Sequence, residues 1–181
     1  MTSCKSPLHE PVRLRRVPTD DAFADVLAAN QAYAAGFQLA ELEARAAKGL
    51  GVLTCMDSRI DPLAMLGLAP GDAKILRNAG ARVTDDVLRT LVLASYLLEV
   101  DRVMVVAHTG CRMGGREEDV HAAIRAAGGP DTRSISFLTT EDQEGALRAD
   151  VQRVRSWPYL GNVIAGGFMY DLNTGRLRHV C

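Results

Sequence analysis

Asp101-Arg-Val-Met-Val-Val-Ala-His108-Thr-Gly-Cys111 is the stretch on which the reading of this chain turns. Val103 to Ala107 is continuously apolar and rich in β-branched residues. A run of that length and composition predicts a strand over Arg102 to Ala107, buried on both faces of a parallel sheet. Two residues with metal-binding chemistry, His108 and Cys111, follow it at once. In an open α/β sheet the ligand site lies just beyond the carboxyl ends of the strands, so this stretch points to both a fold and a site.

The pattern to either side agrees. Upstream, Gly51 to Cys55 is a second short apolar run of strand length and Ala73 to Leu76 a third, with only a short helix possible between them over Pro62 to Gly67. Thr84 followed by Asp85 and Asp86 is a helix start. Val87, Leu88, Leu91, Val92, Ser95 and Leu98 then recur at helical spacing to about Glu99. Downstream, Glu117 to Ala127 and Thr140 to Ser156 read as helices. Asn162 to Leu172 reads as a last long strand, turned by Asn173, Thr174 and Gly175 into Arg176 to Val180. At the front, residues 1–18 form an irregular arm. Thr19, Asp20 and Asp21 open a long Ala-rich helix that runs to Ala47 and ends at Lys48 and Gly49. The expectation is an α/β fold: a mainly parallel central sheet flanked by helices, with a C-terminal hairpin strand and an N-terminal helical arm.

Composition narrows the function. With 181 residues, 48% of them hydrophobic, residues 19–181 can bury one core, and a single domain is expected. The 21 basic residues balance 22 acidic ones for a net charge of -1, which gives no general attraction to nucleic acid or anionic membranes. A small-molecule substrate fits better. No run approaches the roughly 18 apolar residues of a membrane span, and none after the Lys5, Arg13, Arg15 and Arg16 region has the length of a signal peptide's core, so a cytoplasmic protein is expected. Of the four cysteines, Cys4 and Cys181 sit near the ends, leaving Cys55 and Cys111 as the pair a fold could bring together.

A cysteine that closes a strand is by itself ordinary core packing. The joint occurrence is what carries weight: Cys55 ends one strand, and His108 and Cys111 share a tight turn after another. Three such ligands leave one position of a zinc ion open, the mark of a catalytic rather than a structural zinc. Asp57 and Arg59 follow Cys55 at alternate positions and can form a bidentate pair. The remaining candidates have plainer readings. Asp61 is a helix cap before Pro62, Asp85 and Asp86 are helix-start acids, and His9, His121 and His179 lack ligand-like spacing to a second donor.

Cys55-Met-Asp-Ser-Arg59 with His108-Thr-Gly-Cys111 resembles the signature of the β-class carbonic anhydrases. Arg77-Asn-Ala-Gly80 and Gly166-Gly167-Phe168 are similar to that family's corresponding segments, and the resemblance covers roughly residues 19–180. Met56, Ser58 and Thr109 look like the shorter archaeal and actinobacterial type. The resemblance implies Zn2+ on Cys55, His108 and Cys111 and the reversible hydration of carbon dioxide to bicarbonate. It further implies an Asp57–Arg59 catalytic dyad, with Asp57 able to take the fourth zinc position in a closed state. Asn78, Ala79, Gly80 and Arg112 become candidate substrate contacts, and Arg77 and Asn78 fix the loop beside the site. A homodimer, or a dimer of dimers, in which the N-terminal helix reaches across to the partner is also implied. Two positions depart from the family: Gly110 stands where an acid is usual and Arg112 where a glycine is. Hydrolases of carbon disulfide or carbonyl sulfide resemble the chain through the same fold and ligands, and stand as an alternative. A zinc protein without turnover is another, as is a redox pair of Cys55 and Cys111.

Overall fold

The computed structural model describes residues 22–181. Five strands form one sheet in the order β2-β1-β3-β4-β5: β1 Leu50–Cys55, β2 Ala73–Asn78, β3 Arg102–His108, β4 Ile164–Asp171 and β5 Arg176–His179. β1 pairs in parallel with β2 on one side and β3 on the other, and β3 pairs in parallel with β4. Only β4 and β5 are antiparallel, joined by the hairpin expected at Asn173–Gly175. The helices are α1 Ala24–Ala35, α2 Pro62–Leu66, α3 Asp85–Leu97, α4 Glu117–Ala126 and α5 Gln143–Arg155.

Alternation along the buried strands divides the interior in two. Leu53, Val103 and Val105 face one layer with Leu88 and Leu91 of α3 and Leu147, Val151 and Val154 of α5. Leu50, Val52 and Val106 face the other, where Met65 and Leu66 of α2, Ile75 and Phe168 pack. Side chains Val52, Leu53, Val105 and Val106 are wholly buried, as a two-sided apolar strand requires. The Thr54 hydroxyl, also fully buried, is satisfied by donating to the Val106 carbonyl at 3.2 Å. Among the described residues no helix is long and apolar enough to cross a membrane.

The caps read from sequence are in place. Asp61 accepts from the Leu63 and Ala64 amides at the start of α2, and Thr84 accepts from the Val87 amide at the start of α3. The N-terminal helix differs from expectation. Its predicted start at Thr19–Asp21 lies outside the described residues, as does the 1–18 arm, and α1 ends at Ala35 rather than at Ala47. Two forces oppose the helical composition of residues 36–47. Gly36 costs about 1 kcal/mol in a helix interior. Beyond it the backbone is claimed by the rest of the fold: the Ala46 amide donates to Leu98 O at 2.9 Å, Ala47 to Gly71 O at 3.0 Å and Lys48 to Asp72 O at 2.9 Å. A helix with no buried residue cannot outcompete those bonds.

Candidate metal centre

The strand order makes the site. The chain leaves β1 for β2 on one side, then crosses back to place β3 on the other, so the carboxyl ends of β1 and β3 lie side by side at the point where the winding reverses. With Thr54 paired to Val106, Cys55 falls beside the end of β3, and His108 and Cys111 follow. The ligand atoms of Cys55, His108 and Cys111 lie within 4.8 Å of one another, all three residues are buried, and the two sulfurs are 3.9 Å apart.

His108 is oriented by its neighbour. Its Nδ1 lies 2.9 Å from the Thr109 carbonyl. A carbonyl only accepts, so Nδ1 carries the proton and Nε2 keeps a lone pair. That Nε2 is the one buried side-chain nitrogen or oxygen among the described residues without a hydrogen-bond partner. A buried polar atom left unpaired costs free energy unless something occupies its lone pair. A lone pair aimed into two sulfurs fits a thiophilic divalent ion such as zinc.

The sulfurs share their proton unequally. The Cys111 thiol donates to Cys55 and, against the opposing effect of burial, holds the Cys55 pKa down to about 4, with help from His108 and from the Gly80 and Asp57 backbone. The same bond and burial push Cys111 well above the ordinary thiol range. Burial opposes charge on His108, but the Cys55 sulfur and the Thr109 carbonyl outweigh it and raise the imidazole. Zinc uptake by the metal-free protein at pH 7.5 is therefore expected to release at least one proton, from Cys111. Affinity should fall about tenfold per pH unit as pH drops, because the proton competes for the ligand. Titration with zinc in weak buffer and an indicator dye measures this; uptake without proton release would remove Cys111 from the ligand set.

Asp57 stands over the ligands with its Oδ2 3.9 Å from His108 Nε2. Arg59 grips it in a fork: Nε donates to Oδ1 at 2.9 Å and Nη2 to Oδ2 at 2.7 Å, while the Arg59 amide adds a bond to Oδ1 at 3.0 Å. This pairing, ahead of a smaller opposing effect of burial, keeps the carboxyl far below the usual range. Arg59 Nη2 also lies 3.4 Å from the Gly110 carbonyl, linking the dyad to the ligand turn. Gly110 has φ +64, and a side chain there would meet nothing within 4 Å.

Arg77 reaches the segment between ligand and dyad, donating to Cys55 O at 3.1 Å and Asp57 O at 2.7 Å. The Asn78 amide group is spent on its own turn, since Nδ2 donates to Arg82 O at 2.7 Å and Oδ1 accepts from the Arg82 amide at 2.9 Å. Ala79–Ala81 form a single 3-10 turn, and Gly80 lines a small cavity together with His108 and Cys111. Arg112 is exposed. The other histidines stand apart: His121 hydrogen-bonds Thr132 at 2.9 Å and packs on Phe137, and His179 lies against the Phe168 ring. Two contributors escaped the sequence reading. Thr109 ties the ligand turn to β4, its hydroxyl accepting from the Leu172 amide at 3.1 Å. Asp150, whose signal was an acid among the core-facing residues Leu147, Val151 and Val154 of α5, forms a buried pair with Arg82.

Comparison with known proteins agrees with this geometry. Residues 50–135 match the family model described as carbonic anhydrase. The chain is 34% identical to beta-carbonic anhydrase 1 of Mycobacterium tuberculosis over 160 residues, covering 86% of this chain and 96% of that protein. It is 47% identical to a carbon disulfide hydrolase of Acidianus over 64 residues, which are 35% of this chain and 31% of that one. Among solved structures, the carbonic anhydrase of Streptococcus mutans superposes with a TM-score of 0.82 at 35% identity, over 92% of this chain and all of that one. Sequence, fold and ligand set thus converge, and the chain belongs to the β-carbonic anhydrase family.

Proposed function

We propose that this protein catalyses the reversible hydration of carbon dioxide to bicarbonate and a proton, with zinc held by Cys55, His108 and Cys111. The observation that carries the reading is the unpartnered, buried Nε2 of His108 converging with two cysteine sulfurs beside a paired carboxylate. Zinc bound there would supply Lewis acidity, making a water a nucleophile near neutral pH.

The protein's own residues supply orientation. Oδ1 of Asp57 takes two bonds from Arg59, whereas Oδ2 takes one and so keeps acceptor capacity on the side of His108. Asp57 can accept a hydrogen bond from the reacting water and turn its lone pair toward carbon. Held ionised by Arg59, it orients the water and leaves the proton to pass to solvent. Release by Arg59 would free the carboxylate to turn toward the ligands and close the site. Asn78, Ala79 and Gly80 bear on the reaction through the turn they form beside the ligand segments, and Arg112 through its exposed positive charge next to Cys111.

A homodimer, alone or doubled, accounts for α1. That helix buries none of its residues and exposes Val26, Leu27 and Tyr33, with exposed Phe23 just before it and Phe37 just after it packed edge-on against Tyr33. A helix so apolar needs cover. A cytoplasmic setting suits the free thiols of Cys55 and Cys111.

The short strong match to carbon disulfide hydrolases favours a second reading on the same zinc, so the test runs both substrates. Metal analysis with stopped-flow hydration from about pH 6.5 to 9, alongside sulfide release from carbon disulfide, is expected to give one zinc per chain and hydration as the dominant activity. Zinc with no hydration at any pH in that range would sink the enzyme reading, and sulfide release alone would transfer it to the hydrolase.

A further inference from the structure

Next to the ligands lies a cavity of about 20 Å³ whose walls include His108, Cys111, Gly80, Arg82 and Asp150, but not Asp57. That is room for one water. Asp150 projects from the middle of α5 into the core and is only 6% exposed. Its carboxylate receives Arg82 Nε at 2.6 Å, and Arg82 Nη1 continues to the Leu138 carbonyl at 2.6 Å. A buried ion pair is a poor way to gain stability, since well-packed apolar residues of like volume often do as well or better. Its geometry offers another use.

Arg82 is the last residue of the turn that touches both ligand-bearing segments. On one side Asn78 sits in register with Cys55, and its carbonyl accepts the Met56 amide at 2.9 Å. On the other, Gly80 at φ +78 is pressed so close to Met113, two residues past Cys111, that a Cβ would meet the Met113 Cβ at 3.1 Å. The turn is a wedge between the Cys55 segment and the Cys111 segment. Arg82 fixes its trailing end through the Asn78 amide, and Asp150 fixes Arg82.

We propose that Asp150 is a positioning residue of the metal centre, acting through Arg82 to hold the 78–82 wedge and so the spacing between the two cysteine ligands. The inference rests on the three-ligand zinc reading above. A second clamp on the same helix provides a control: Arg153 bonds the Val83 carbonyl and the Asp85 carboxylate without touching the wedge.

The test measures zinc affinity of the metal-free protein by chelator competition, together with the thiolate charge-transfer band of the cobalt-substituted form. Asp150→Asn is expected to weaken zinc about tenfold, the lower end for residues supporting a ligand, and to shift the cobalt band. Asp85→Asn should leave affinity within twofold and the band in place. Should Asp150→Asn not fold, Arg82→Lys is read instead, because a lysine cannot span both Asp150 and Leu138 and the same loss is expected. Parent-like affinity and spectrum in the folded variant, or an equal loss in Asp85→Asn, would overturn the proposal. Failure of the parent to bind zinc would overturn the zinc reading itself, which separates the two.

Discussion

Cys111→Ser is expected to strip the protein of zinc and lower hydration by at least about a thousandfold. A serine hydroxyl fills nearly the same volume but does not ionise near neutral pH, and zinc needs the anionic ligand. The Cys111 sulfur lies 3.9 Å from that of Cys55, and serine puts in its place a hydroxyl that can still donate to Cys55 but cannot become the second anionic ligand. The remaining set, one thiolate and one imidazole, is too small to retain the ion against a chelator. Folding should survive, since a buried hydroxyl costs on the order of 1–3 kcal/mol when unpaired. Zinc content after dialysis, stopped-flow hydration and thermal melting read these separately. A serine variant that keeps one zinc and parent activity would show that the metal is held elsewhere.

Arg59→Ala acts at the other end of the site and should have the opposite signature: zinc retained, turnover reduced about a hundredfold, in the range typical for loss of an acid–base group. The fork on Asp57 is gone in this variant, so the carboxyl rises from far below its usual range toward that of an ordinary aspartate. A group whose folded pKa is depressed is ionised above it, so raising that pKa moves its loss of charge to higher pH. Residual activity should therefore fall off on the acid side at a higher pH than in the parent. Guanidine in the assay should restore part of it, because a free guanidinium can occupy the fork. Parent-like turnover would take Arg59 and its hold on Asp57 out of the mechanism.

How much of this was legible beforehand depends on the range of the force involved. β3 was readable from its apolar run alone, because a strand buried on both faces has a composition that few other environments require. Asp61 and Thr84 were readable because capping is local. The end of α1 was not, since what stops it is a set of hydrogen bonds from residues 46–48 to Leu98, Gly71 and Asp72, partners that sequence spacing does not name. The ligands were legible as residue types at the ends of two strands. Their convergence required the sheet order, which places β1 between β2 and β3. The Asp150–Arg82 pair is 68 residues apart in the chain and was visible only as an acid out of place on an apolar helix face.

The reversal of winding between β1 and β3 has a consequence for how the protein reaches its folded state. Cys55 and Cys111 are 56 residues apart, and their sulfurs meet only after α3 has crossed the sheet and β3 has taken its seat beside β1. Closing so long a loop is among the slower and entropically dearer events of folding. No complete ligand set exists before it. An ion bound there stabilises the finished protein by mass action, holding the chain in a state that it could not have guided the chain to find.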